Sequence, residues 1–135
     1  MSDFRARSFD APRERPAPSV LAGKTPRGEE RRIELRRVTL VVAVKPHCDG
    51  CREFLIADLH ELSKVDVVVV SAAFSEEWMD VTNDVLVAPE LMKELDIRSA
   101  PFYVLIDPLS LRVVTEGVVF GPAQVAAEIE GLLRA

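Results

Sequence analysis

Cysteine is scarce in this sequence: the 135 residues hold only two, Cys48 and Cys51. So few exclude a disulfide-stapled scaffold, and the chain is long enough to bury a core without staples or a structural metal. Long hydrophobic runs are also missing. The longest, VTLVVAV at 38–44, has the length of a strand, whereas a membrane-spanning helix needs about 18–20 apolar residues. The N-terminal stretch lacks the apolar core of about 7–15 residues that marks a secretory signal. A cytoplasmic protein with no membrane span in this chain is the resulting expectation. There, thiols are mostly kept reduced, and a close cysteine pair is more often catalytic or metal-binding than structural. Internal repeats are absent. Strong net charge is absent too: −5 overall is too mild for an acidic specialist or a nucleic-acid binder, so no nucleic-acid partner is expected.

The charge is unevenly distributed. Residues 1–32 hold eight Lys/Arg, five Asp/Glu and four prolines, and the remainder of the chain carries a net −8. With few large apolar residues and no aromatic platform, 1–32 reads as a disordered or loosely attached basic tail, which leaves one domain over 33–135. Within the tail, SVLAGKT at 19–25 ends like a phosphate-binding loop. Pro18 stands where the first glycine belongs and no strand is expected before it, so that reading is rejected.

Beyond residue 33 the hydrophobic pattern sharpens. Leu35–Val44 and the VDVVVVSAA stretch at 65–73 read as strands buried on both faces. Between them, Phe54, Leu55, Leu59 and Leu62 share one side of a helix over 51–63. A strand, helix, strand order implies a parallel pair with a right-handed crossover. Residues 74–86 hold Trp78 in a polar stretch, expected to be loop or short helix; a lone Trp of this kind more often covers a core edge than docks a substrate. Pro89–Leu95 follows as a helix, PFYVLID (101–107) and RVVTEGVVF (112–120) as a hairpin, and a C-terminal helix with an apolar stripe at Val125, Ile129, Leu132 and Leu133. The predicted order is β-α-β-α-β-β-α, a mixed four-stranded sheet with helices on both faces.

The cysteines fall where the first of these strands gives way to a helix, in KPHCDGCREF (45–54). With Cys48 at a helix start, unpaired N–H groups and the helix dipole favour negative charge on its sulfur, and the thiolate is the nucleophile. Cys51 lies one turn on, within reach of a disulfide with Cys48. Lys45 and His47 stand upstream to support a thiolate, Asp49 opposes it if it points inward, and Gly50 leaves the loop free of a side chain. Two other readings stand beside redox chemistry: buried structural cysteines, and a metal site drawing on His47, Cys48, Cys51 and His60. The latter requires His60 to reach back about 13 Å along the same helix, which an intact helix forbids. Ala100–Pro101 opens the third expected strand, a position where proline costs no ladder hydrogen bond.

Taken together, the strand and C-x-x-C helix, the second strand and helix, the Pro-led strand, the hairpin and the last helix resemble the thioredoxin-like superfamily over about residues 35–135, in its thiol–disulfide reductase branch. The resemblance implies a three-layer α/β/α fold. It implies Cys48 as attacking thiol, Cys51 as resolving thiol, a cis Pro101 facing them, and Ala100 pairing through its backbone with an extended substrate segment. His47, Asp49 and Gly50 complete the substrate-binding set, with no metal and no cofactor. The sequence departs from the superfamily pattern at three points: His47 replaces the usual Trp, Asp49–Gly50 replaces Gly-Pro, and Val42 stands where a buried acid assists the resolving thiol. The expected function is thiol–disulfide exchange with a disulfide-containing protein or small thiol substrate, sustained by an electron donor that the sequence does not identify. The alternative is a thioredoxin-fold interaction or redox-sensing module without turnover.

Overall fold

The computed structural model describes residues 14–133. At its centre lie two strands whose sequences are apolar almost throughout. These are β4 (Thr39–Ala43), buried at every position, and β5 (Asp66–Ser71), which pairs parallel to it. A strand with no polar alternation must be covered on both faces, and here it is. The other strands are β1 (Arg15–Pro16), β2 (Val20–Lys24), β3 (Glu30–Glu34), β6 (Val85–Val87), β7 (Phe102–Asp107) and β8 (Arg112–Val118). They form one mixed sheet in the order β1-β8-β7-β4-β5-β6-β2-β3. Helices α1 (Asp49–Ile56), α2 (Pro89–Glu94) and α3 (Pro122–Leu133) and two 3₁₀ turns, His60–Leu62 and Glu76–Met79, complete the described structure.

Two apolar clusters flank the sheet. One joins Leu40, Val42 and Tyr103 to Phe54 and Leu55 of α1 and Val125 and Ile129 of α3. The other joins Val41, Val68, Val70 and Val104 to Leu91 of α2 and to Leu95. Alternate residues of the same strands supply the two clusters, as the pleat requires. The result is the expected helix–sheet–helix layering.

The sheet has eight strands among the described residues rather than the four expected. The expected four form its contiguous centre, β8-β7-β4-β5. The three-residue β6 is too short to show a period. Strands β1 and β2 and the first three residues of β3 come from the segment expected to be a loose tail, so the boundary expected at residue 33 falls inside a hairpin. Strands β2 and β3 pair over five residues each, from Val20↔Glu34 to Lys24↔Glu30. The hairpin buries few apolar side chains: Leu21 is sealed in the core while Glu30, Arg31, Arg32 and Glu34 face solvent. A half-exposed edge hairpin therefore has the composition of a solvated tail. Its charged outer strand also protects the sheet edge from pairing with other chains. Residues 19–25, rejected above as a phosphate loop, lie largely in β2. The expectation for residues 1–13 lies outside the described residues.

Strand β1 closes the other edge against β8. Arg15 binds Glu116 at 2.7 Å, with side chains only 13% and 9% exposed, and donates to the Leu95 carbonyl at 2.7 Å. The segment before residue 33 is thus tied to both ends of the sheet.

Candidate functional site

Val44 extends the strand pairing one residue past β4, its N–H reaching Val70 O at 2.9 Å. Pro46 then ends the strand, since it has no N–H to donate. His47 takes φ +58, in the left-handed region. Cys48 returns to an extended backbone, φ −129 and ψ 113, as N-cap of α1. Its sulfur accepts the Cys51 N–H at 3.2 Å, and its carbonyl accepts the Arg52 N–H at 2.9 Å. A thiol here takes the place of the usual Ser or Asp cap.

Cys48 and Cys51 are free thiols that lie 2.6 Å apart. Their environments differ. Cys48 is partly exposed, whereas Cys51 is fully buried in the α1–α3 cluster with Val42, Phe54, Trp78 and Tyr103. Burial, reinforced by the hydrogen bond with Cys48, pushes the Cys51 thiol from 9.0 up to about 12; the Lys45 N–H, 3.4 Å from its sulfur, works the other way. Val42, at the position of the expected acid, is fully buried.

Pro101 faces this first turn. A Cβ built on Gly50 would lie 3.4 Å from Pro101 Cγ, and the Ala100–Pro101 peptide is cis. The Pro101 carbonyl accepts the Val119 N–H at 3.1 Å, which brings the end of β8 alongside. Of the candidate residues, Cys48, Cys51, Gly50 and Pro101 therefore converge. Ala100 packs against the α1–α3 cluster; His47 and Asp49 are exposed around the cysteines.

Several surrounding residues were not legible in the sequence. Glu77, from the Glu76–Met79 turn, accepts the His47 N–H at 3.0 Å and lies 3.7 Å from His47 Nδ1. The only local signal was Ser75, whose hydroxyl accepts the Glu77 N–H at 3.2 Å and caps the turn. Trp78 is 3% exposed and donates its indole N–H to Ala73 O at 2.9 Å, so it belongs to the core. Apolar exposure lies elsewhere: Phe120 is 80% exposed and Val118 47%, both next to the residue bonded to Pro101. Gly117 has a packing reason, because a Cβ there would meet the Tyr103 ring at 3.1 Å. That ring is buried, and its hydroxyl donates to Glu128 at 2.7 Å; burial and the carboxylate together raise the phenol above its ordinary range.

His60 is not on the cysteine helix, which ends at Ile56. It lies exposed in a 3₁₀ turn, with Nδ1 3.3 Å from Asp58. Among the described residues no three His, Cys, Asp or Glu side chains are grouped to hold a metal ion, and no helix is long and apolar enough to cross a membrane. A separate cavity of about 450 Å³ opens between the β2–β3 hairpin and β5–β6, lined in part by Arg31, Leu59, Val67 and Trp78, and does not include the cysteines.

No protein-family model and no curated protein matches the chain. Solved structures do. A putative thiol:disulfide interchange protein DsbE from Chlorobium tepidum is 19% identical, with a TM-score of 0.65 over 93% of this chain and 98% of that one. MTB DsbF in mixed oxidized and reduced forms gives 17% identity and a TM-score of 0.62 over 86% of this chain and 98% of that one. A thioredoxin-like protein from Aeropyrum pernix gives 14% and 0.58 over 96% and 94%. With the order of its central strands, the cysteine pair opening α1 and the proline before β7, the chain has a thioredoxin-like α/β fold.

Proposed function

We propose that the protein exchanges disulfides through the Cys48–Cys51 dithiol. The observation that carries this reading is the pairing of a partly exposed sulfur with a buried one 2.6 Å away, at the start of a helix. Cys48, as thiolate, attacks one sulfur of a substrate disulfide. A mixed disulfide forms, the substrate S–S bond breaks, and one substrate thiolate leaves. Cys51 then gives up its proton, which the substrate thiolate released in the first step or solvent takes, and attacks Cys48 Sγ. The intramolecular disulfide forms, the second substrate thiolate leaves, and two electrons have passed from the dithiol to the substrate. An external dithiol must return them before the next cycle. The Cys51 N–H directed at Cys48 Sγ stabilises negative charge on that sulfur while it is the attacking thiolate. A substrate segment lying beside Ala100 and Pro101 meets the exposed Val118 and Phe120, which suits an extended, apolar stretch of protein.

A second reading, redox sensing without turnover, draws on Val42 and on the raised Cys51 thiol. With no carboxylate at position 42 to take the proton, the resolving step is slow, and a domain that is slow to resolve can hold a mixed disulfide. A cytoplasmic setting remains part of the proposal; trapping the thiols in fractionated cells tests it.

Reduction of a protein disulfide by wild type, Cys48→Ser and Cys51→Ser tests the main reading. Loss of activity in Cys48→Ser, with a trapped mixed disulfide in Cys51→Ser, is expected. Unchanged activity in Cys48→Ser removes the enzyme reading. Stoichiometric oxidation without repeated turnover supports the sensor.

A further inference from the structure

Glu77 lies 30 residues from His47 in sequence, yet its carboxylate holds that residue's main chain. His47 immediately precedes Cys48 and sits at φ +58, where residues with a side chain are uncommon. Its side chain is 93% exposed, so packing does not impose this conformation. The firm contact is the N–H···Oε2 bond of 3.0 Å. Glu77 itself is well braced. Ser75 Oγ accepts its N–H at 3.2 Å, and the next residue, Trp78, is buried and anchored through its indole N–H. The left-handed residue is also the one that turns the chain from β4 into α1, immediately before the backbone extends at Cys48 to form the N-cap.

We propose that Glu77 is a positioning residue for the Cys48 thiol. By accepting the His47 N–H it keeps the loop in the left-handed turn that places Cys48 Sγ over the Cys51 N–H. The consequence for catalysis rests on the dithiol reading above; the consequence for thiol reactivity does not. Glutamine in place of Glu77 removes the charge but retains an acceptor oxygen, whereas alanine removes both. A difference between the two variants therefore isolates the hydrogen bond. Glycine takes φ +58 without help, so His47→Gly removes the need for the clamp.

The test is the rate of Cys48 alkylation by iodoacetamide in the reduced protein, with the modified residue located by mass spectrometry. It is run on Glu77→Ala and Glu77→Gln, each alone and in a His47→Gly background. Alkylation about threefold to tenfold slower in Glu77→Ala than in Glu77→Gln is expected, the size of effect that the cost of one left-handed residue allows. In the His47→Gly background the two rates should agree within about twofold. Equal rates in the two single variants overturn the proposal, as does a gap that persists with glycine at 47. If wild type fails to reduce disulfides but shows this alkylation pattern, the enzyme reading falls and the role of Glu77 stands. If wild type is active and the two variants alkylate alike, only the role of Glu77 falls.

Discussion

Cys48 and Cys51 are chemically identical side chains that burial makes unequal. In the proposed exchange, the partly exposed one meets the substrate. The buried one holds its proton more tightly, because the α1–α3 cluster offers no solvation to a thiolate. This inequality has a consequence for stability. The folded Cys51 thiol is raised from 9.0 to about 12, so its contribution to stability is complete below pH 9. Above that, the unfolded chain releases the proton first, and the contribution is lost as pH climbs toward 12. Thermal melts of the reduced protein should therefore show a steeper loss of Tm between pH 9 and 11 in wild type than in Cys51→Ala; parallel losses would contradict the burial argument. At this scale the cysteine pair was legible as a local signature, whereas Ala100–Pro101 entered the site only through the resemblance of the whole pattern. Glu77 was not, because nothing near it in sequence announces a hydrogen bond to residue 47.

The boundaries of the elements were decided by contacts that periodicity does not contain. Helix α1 carries an apolar pattern to Leu62 but ends at Ile56. Asn83 donates its side-chain N–H groups to Phe54 O and Ala57 O at 2.9 and 3.0 Å, and the Thr82 and Asn83 N–H groups reach Leu55 O. These partners satisfy the last carbonyls of a helix that stops early, while Leu59 and Leu62 return to the core from a turn. The hairpin depends on a different detail. A Cβ at Gly23 would lie 2.7 Å from Val87 O and 2.8 Å from Ala88 Cβ, both on fixed parts of the structure. Gly23→Ala should therefore cost about 1–3 kcal/mol in chemical denaturation through overpacking. Hydrogen exchange should show the loss concentrated in β2 and β3. A variant as stable as wild type would mean that β2 can shift away from β6 freely.

For the molecule as a whole, the main departure from expectation concerns where the domain begins. A compositional reading assigned 1–32 to a tail, yet β2 and β3 extend the β6 edge and β1 covers β8. Leu21 and Ala17 are buried in the same cluster as Val41 and Leu91. Removing residues 1–34 would strip both edges of the sheet and open that cluster. The shortened chain is expected to melt at least 10 °C lower or to aggregate through its exposed strands, about 2 kcal/mol or more being at stake for a domain of this size. A shortened chain with the full-length melting temperature would restore the boundary at 33.

By itself, the amino-acid sequence determined the alternation of buried strands and amphipathic helices, the place of the two thiols at a helix start, and the proline opening a strand. Each follows from residues close together along the chain, where period, helix capping and turn chemistry act. Only the tertiary structure decided the eight-stranded sheet, the early end of α1, the unequal burial of the two sulfurs and the grip of Glu77 on His47. Those depend on which distant segments meet, and a half-exposed hairpin or a single carboxylate leaves no periodic trace from which to foresee the meeting.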